Sequence, residues 1–208
     1  MVPDGPGPTA SREPADVVAP RPVLAATTVH HGMIWDLVRD TVDLGDSGVV
    51  DREYVRHPGA VAVIALDEAD RVLLVRQYRH AVRSELWEPP AGLLDVEGED
   101  RVEAAKRELA EEADLVAARW WRLADYYSTP GGNDEALTVF LARDLTPVPE
   151  ADRHAREAEE RDLVVGWFGL DDAVTAVLAG RVRNPSTVVG LLAAAAERAR
   201  GWRGLRPA

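Results

Sequence analysis

Cysteine is absent from all 208 residues of this chain, so neither a disulfide framework nor a thiolate zinc site is open to it. Also missing is any apolar run of about 18 residues, the minimum for a membrane-spanning helix. The first residues lack the basic start and apolar run of an export signal. Positive charge is in deficit: 24 Lys and Arg stand against 36 Asp and Glu, a formal net charge of -12 at pH 7. Such a surface disfavours nonspecific attachment to nucleic acid or anionic membrane, both of which favour basic proteins. A phosphate substrate stays admissible, because bound cations and a few local arginines reverse the sign inside a cleft. The expectation is a cytoplasmic protein that binds neither membrane nor nucleic acid.

What is present is carboxylate, concentrated in one place. Between Gly92 and Leu115 the chain reads GLLDVEGEDRVEAAKRELAEEADL. Stepping about 100° per residue, Val102, Ala105, Leu109 and Ala113 form an apolar stripe that can dock on a core. Glu108, Glu111 and Glu112 share the neighbouring stripe. Glutamates three and four apart repel one another, and near a helix C-terminus they also oppose the negative end of the macrodipole. A solvated acidic face is one reading. The other is a hard divalent cation with oxygen ligands, Mg2+ or Mn2+, which converts repulsion into coordination.

The length fits one domain of ordinary size plus appendages. Residues 1–22, rich in Pro, Ala and Gly, read as a disordered tail. Residues 23–58 carry short β-like runs at Leu24 to Val29, Ile34 to Asp40 and Val49 to Tyr54, with a turn at Gly45 to Gly48. From Gly59, Ala60 to Leu66 and Val72 to Gln77 are apolar strands around the polar Asp67 to Asp70 turn, the pattern of a hairpin. Further strands are expected near Trp120 to Tyr127, Leu137 to Ala142 and Leu163 to Phe168. Helices are expected near Leu170 to Leu178 and Thr187 to Ala199, the first ending at Gly180 and the second opening at Asn184-Pro185-Ser186. This mixture suggests an α/β/α sandwich with a mixed sheet over residues 59–200, preceded by a small N-terminal β-sheet, with 201–208 as a C-terminal tail.

The order of residues around the acidic helix resembles the Nudix hydrolase signature. Gly92, Glu99, Arg107, Glu108, Leu109, Glu111, Glu112 and Leu115 occupy its specified positions, with one extra residue between Gly92 and Glu99. Asp114 replaces the second glycine, where the chain leaves the helix through a left-handed conformation that Asp enters more readily than most side chains. Gln77-Tyr78-Arg79, Trp87-Glu88-Pro89-Pro90-Ala91-Gly92 and Pro130-Gly131-Gly132-Asn133-Asp134-Glu135 resemble the ADP-ribose pyrophosphatase branch, and the similarity covers roughly residues 25 to 200. Gly132-Asn133 departs from the branch, which often places an aromatic or aliphatic residue and a Ser there.

The resemblance implies a Nudix-type fold and Mg2+-dependent hydrolysis of ADP-ribose to AMP and ribose 5-phosphate. Glu108, Glu111, Glu112 and the Ala91 carbonyl become metal ligands, with Mn2+ as an alternative ion, and Glu111 also stands among the catalytic acids. The base of the branch lies on a loop before the last strand, which points to Glu159 and next to Glu160, with Glu157 a weaker match. Arg79 and Glu88 become substrate contacts, and Glu135 approaches the terminal ribose. Trp35 is either an adenine-stacking residue or a core or dimer-contact tryptophan. Arg107 is expected to be structural, pairing with Glu99 or another local acid to orient the loop against the helix. The branch also implies a homodimer built through the N-terminal sheet. Alternatives within the same resemblance are hydrolysis of an ADP-sugar or dinucleotide, and an ADP-ribose sensor without turnover.

Overall fold

The computed structural model describes residues 13–154 and 163–208. Residues 13–22 are exposed and have no regular secondary structure. Strands β1 (Val23–His31), β2 (Asp36–Asp43) and β3 (Val49–Arg56) form an antiparallel sheet in that order. The β2–β3 register is unbroken and its facing side chains pair: Arg39 with Glu53, and the Thr41 hydroxyl with Asp51 at 2.7 Å. Such cross-strand pairs each contribute about 0.2–1 kcal/mol. The turn expected at Gly45 to Gly48 is a short 3-10 turn closed by Gly48 N–H to Gly45 O at 2.9 Å. Val38 is the one residue of this sheet in the buried apolar core, while Val23, Leu24, Val29 and Val49 are exposed.

The rest of the chain adds β4 (Ala60–Ala65), β5 (Arg71–Arg79), β6 (Ser84–Glu88), β7 (Ala91–Leu93), α1 (Arg101–Ala113), β8 (Leu115–Tyr127) and β9 (Ala136–Pro147). It closes with β10 (Val164–Gly169), α2 (Leu170–Leu178), α3 (Pro185–Ala199) and β11 (Arg206–Pro207). A five-stranded mixed sheet runs β11-β8-β9-β4-β7, with β4 and β9 parallel, and a three-stranded antiparallel sheet runs β10-β5-β6. Every residue of β4 is buried. Its alternate side chains Val61, Val63 and Ala65 pack with Ala105 and Leu109 of α1, and Ala62 and Ile64, with Leu66 just beyond the strand, pack with Leu170 of α2 and Leu191 of α3. Sheets held between helices on both faces make an α/β/α sandwich. Ile64, wholly buried, contributes about 2–3 kcal/mol. It also fixes how closely α3 approaches, since a Cβ on Gly190 would stand 2.6 Å from its Cδ1.

The hairpin expected between β4 and β5 is not formed. A single bridge, Leu66 to Val72, joins them, and each strand spends its edges in a different sheet. Asp67 accepts from the Ala69 and Arg71 amides, and Asp70 takes a left-handed φ of 53°. Arg143 from β9 holds Asp70 at 2.6 Å, so this turn is a corner between sheets. Strands β8 and β9 extend beyond their expected limits, because β8 begins directly where α1 ends. The segment 201–208, expected as a tail, is packed: Trp202 and Leu205 lie on the α2–α3 side of the core, and Arg206 and Pro207 pair with β8. Among the described residues no helix is long and apolar enough to cross a membrane.

Candidate active site

Helix α1 starts at Asp100, whose carboxylate accepts from the Val102 amide at 2.9 Å, the side-chain cap that satisfies an orphan N–H of the first turn. It ends at Asp114, in the left-handed region at φ 54° and ψ 36°, whose N–H returns to Ala110 O and Leu109 O. The signature glycine is thus replaced with its backbone geometry kept. The Asp114 carbonyl accepts from Val148 N–H at 2.8 Å, which ties the helix exit to the end of β9.

The opposite wall is the segment between β6 and β7. Val63 N–H donates to Pro90 O at 2.8 Å and Leu94 N–H to Gly59 O at 3.1 Å, sewing residues 90–94 to β4. Against this wall α1 places its acids. Glu112 accepts from Ala91 N–H at 2.9 Å, and the Glu108 carboxylate lies so close to Gly92 that a Cβ there would be 2.0 Å from Oε1. Glu108 and Glu112 are buried, at 8% and 6% exposure respectively.

Arg107 is the cation among them. It holds Glu99 through Nε (3.2 Å) and Nη2 (3.1 Å), and its Nη1 lies 2.6 Å from Glu108 and 3.3 Å from Glu111. The expected clasp to Glu99 is present, and the same guanidinium also reaches two of the clustered acids. Hydrogen bonding to Glu99 raises the Arg107 pKa further, and the same bond holds Glu99 below the usual carboxylate value. Among the described residues no group of three acidic or imidazole side chains already converges as a ready ligand shell. The donor chemistry fits a hard cation nonetheless: carboxylate oxygens from adjacent turns, restrained by burial, face a backbone segment that carries a further carbonyl.

The same segment borders a cleft of about 270 Å³, lined by Ala91 and Gly92 together with Trp35, His57, Arg79, Glu88 and Glu135. The fold thus gathers into one cleft the residues expected to touch substrate. Arg79 and Glu88 are a single ion pair, with Nη2 to Oε2 at 2.6 Å and Nε between both oxygens at 3.0 and 3.1 Å. Glu88 is 2% exposed, so the guanidinium is what neutralises it. Glu135 accepts from the Ser128 hydroxyl, and its amide donates to the Asn133 side chain at 3.2 Å. Tyr126, its hydroxyl 2.9 Å from Ser186 Oγ, closes another part of the lining, and burial pushes its phenol pKa up, with Glu135 adding to the rise.

Trp35 is 50% exposed and stacks on the His57 ring. His57 and Tyr126 were not singled out from sequence; each is identified only by what the fold brings to it. Glu157, Glu159 and Glu160 lie outside the described residues. Glu111 lines a second hollow, with Arg107, Asp152, Arg153 and His154, where the described chain reaches residue 154.

The fold and site define a class: an α/β/α sandwich whose helix of glutamates packs on a backbone segment, Ala91 and Gly92, that also lines a cleft. The family model for the NUDIX domain matches residues 56–187, and the chain belongs to the Nudix hydrolase family. Enzymes of this family in general depend on a divalent metal. Relatives include the ADP-ribose pyrophosphatase of Mycobacterium tuberculosis, 42% identical over 170 residues that cover 82% of this chain and 81% of the relative. The ADP-ribose pyrophosphatase of Bacillus subtilis is 33% identical over 169 residues, 81% of this chain and 89% of the relative. A CMP-5'-(N-acetyl-N-hydroxy-3-aminopropyl)phosphonate hydrolase of Streptomyces rubellomurinus is 33% identical over 79% of this chain and 77% of its own. The crystal structure of an ADP compounds hydrolase superposes with a TM-score of 0.66 at 21% identity, covering 90% of this chain and 99% of the other, a likeness of fold.

Proposed function

We propose that this protein hydrolyses the diphosphate of ADP-ribose to AMP and ribose 5-phosphate, with Mg2+ or Mn2+ held by Glu108, Glu111, Glu112 and the Ala91 carbonyl. The observation that carries the reading is the shared wall: Ala91 and Gly92 meet the α1 carboxylates and also line the cleft. A diphosphate lying along that wall comes within reach of the acids while its ends extend toward Trp35 and Glu135. A divalent cation held by these residues would supply charge neutralisation for the diphosphate and a more acidic attacking water. The chain's own residues do the rest. The Ala91 N–H orients Glu112, and Arg107 orients Glu108 and Glu111. A carboxylate from Glu159, Glu160 or Glu111 takes the proton of the attacking water as its oxygen bonds to phosphorus and the bridging P–O bond breaks.

Arg79, Glu88, Trp35 and Glu135 bind the substrate in this reading. The domain limits follow from it: a tail over residues 1–22, a sheet over 23–58 that pairs two copies, and a catalytic domain over 59–200. Exposed Val23, Leu24 and Val29 on β1, at the edge of the N-terminal sheet, support a homodimer. The reading takes the cytoplasm as the protein's compartment. Another nucleotide-linked phosphoanhydride is the second reading, favoured by the Streptomyces relative.

The test is AMP release from ADP-ribose, ADP-glucose, NAD and nucleoside triphosphates, with Mg2+ and with chelator. Selective, metal-dependent cleavage of ADP-ribose is expected. Tight binding without cleavage would make the protein a sensor, and preference for another compound would keep the chemistry and change the substrate.

A further inference from the structure

The loop bearing Glu135 is strapped to the end of β3. Val55 N–H donates to Gly132 O at 3.0 Å, Asp134 N–H to Val55 O at 3.2 Å, and His57 N–H to Asp134 Oδ1 at 2.7 Å. His57 sits at this junction, with its side chain 7% exposed, on the wall of the cleft. The Gly59 N–H donates to its Nδ1 at 3.0 Å. A nitrogen that accepts carries no proton, so this bond assigns the neutral tautomer with hydrogen on Nε2. Nε2 lies 3.5 Å from Glu135 Oε1, and the other Glu135 oxygen is taken by Ser128. Trp35 stacks on the ring at 5.8 Å between centroids and 29° between planes. The hydrolytic chemistry described above makes no use of this imidazole.

We propose that His57 is a positioning residue whose Nε2–H fixes the Glu135 carboxylate so that it reads hydroxyls on the distal sugar of a nucleoside diphosphate sugar. The proposal rests on the ADP-ribose reading of the cleft. A carboxylate anchored at one oxygen still turns about its terminal bond; a second donor on the other oxygen sets its plane. At 3.5 Å the contact is longer than a good hydrogen bond, so its effect is to orient, and such contacts commonly tighten once substrate is bound. Fixed polar groups of this kind discriminate strongly against compounds that lack the matching hydroxyl. The same ring ties specificity to the N-terminal sheet, because His57 follows β3 directly and carries Trp35 on its face.

Two substitutions separate the two nitrogens. The side-chain amide of glutamine reaches the place of Nε2, and that of asparagine the place of Nδ1. His57→Gln therefore keeps a donor toward Glu135, whereas His57→Asn keeps only the acceptor for Gly59. Steady-state kinetics are measured on ADP-ribose and on the methyl ester of ADP, which has no distal sugar. His57→Asn is expected to raise KM for ADP-ribose about tenfold with little change in kcat and to spare the methyl ester; His57→Gln restores the wild-type KM. The reverse pattern would assign His57 to bracing Gly59. Equal loss in both would assign it to stacking under Trp35, and no loss in either would remove it from substrate selection; each result overturns the proposal. Imidazole 15N shifts of the free protein provide a readout without turnover: Nε2–H is expected, and Nδ1–H refutes the geometry. Failure of the wild-type protein to release AMP from ADP-ribose would sink the substrate reading and leave this tautomer measurement decisive for His57.

Discussion

Gly92→Ala tests the joint between α1 and the cleft with one methyl group. Gly92 pairs with Val61 inside β7, and its φ is outside the left-handed region, so the backbone accepts alanine. The difficulty lies entirely in Glu108. The new Cβ would stand 2.0 Å from Oε1 and 2.2 Å from Cδ, whereas real Cβ contacts stop near 3.0 Å. The carboxylate has to retreat by about 1 Å against the pull of Arg107. Overpacking of this kind costs about 1–3 kcal/mol, less than the stability of an ordinary domain, so the protein stays folded. A ligand or catalytic group displaced by about 1 Å costs about 100-fold in rate. Turnover should therefore fall by about two orders of magnitude while urea unfolding shows only a modest drop in midpoint. The assay is AMP release at saturating ADP-ribose and Mg2+, run beside the unfolding curve. In a Glu108→Ala background the methyl has room, and Gly92→Ala should then add almost nothing to the loss of stability. Wild-type turnover in Gly92→Ala with a lowered midpoint would refute the role given to Glu108 and leave it a packing residue.

Glu112→Gln keeps an oxygen for the Ala91 N–H and loses the charge, so turnover should fall by about 100-fold or more with an unchanged unfolding midpoint; near-normal rates would remove Glu112 from the metal site. Arg79→Met leaves the buried Glu88 carboxylate without its guanidinium, and chemical denaturation should register a loss of about 2 kcal/mol; no loss would mean that Glu88 is satisfied elsewhere. The Arg107 bond depresses the Glu99 carboxyl below its usual value of 4.5. The clasp is therefore fully stabilising above pH 4.5 and is lost as pH falls through the depressed value. Glu99→Gln should flatten the fall in stability below pH 4.5, and identical acid profiles for variant and wild type would contradict the linkage.

The parts legible in the sequence are those fixed by near neighbours. The apolar stripe of α1, the Arg107 clasp to Glu99 and the left-handed exit at Asp114 all lie within a few turns of chain, where helical spacing decides what meets what. The separation of β4 from β5 was not legible. Alternation and apolarity describe the faces of a strand, and β4 is apolar on both, but nothing in them says which strands occupy its edges. The ion pair between Arg79 and Glu88 is not legible in the sequence because it runs diagonally across β5 and β6. The register sets Glu88 opposite Val75, and only the twisted sheet brings the guanidinium to it. His57 had no signal at all. A histidine before Pro58-Gly59 reads as turn, and its role depends on Trp35, Gly59 and Glu135 converging from different segments.

The crowding of carboxylates on α1 was the first reason to expect a cation, and the structure sharpens that argument. Part of the repulsion is answered by the chain itself, through Arg107 and the Ala91 amide. The balance remains strongly negative: Glu99, Glu108, Glu111 and Glu112 contribute four negative charges and Arg107 one positive charge, a formal sum of -3. Glu108 and Glu112 are withdrawn from water that would otherwise screen them. A monovalent side chain cannot cancel that sum, whereas a divalent ion removes most of it. Arg107 thus preorganises the acids without saturating them. Because its Nη1 contacts the Glu108 and Glu111 oxygens, an incoming cation competes with it for those two. The guanidinium keeps its two bonds to Glu99 throughout, which is how one residue can brace the loop and still yield the site.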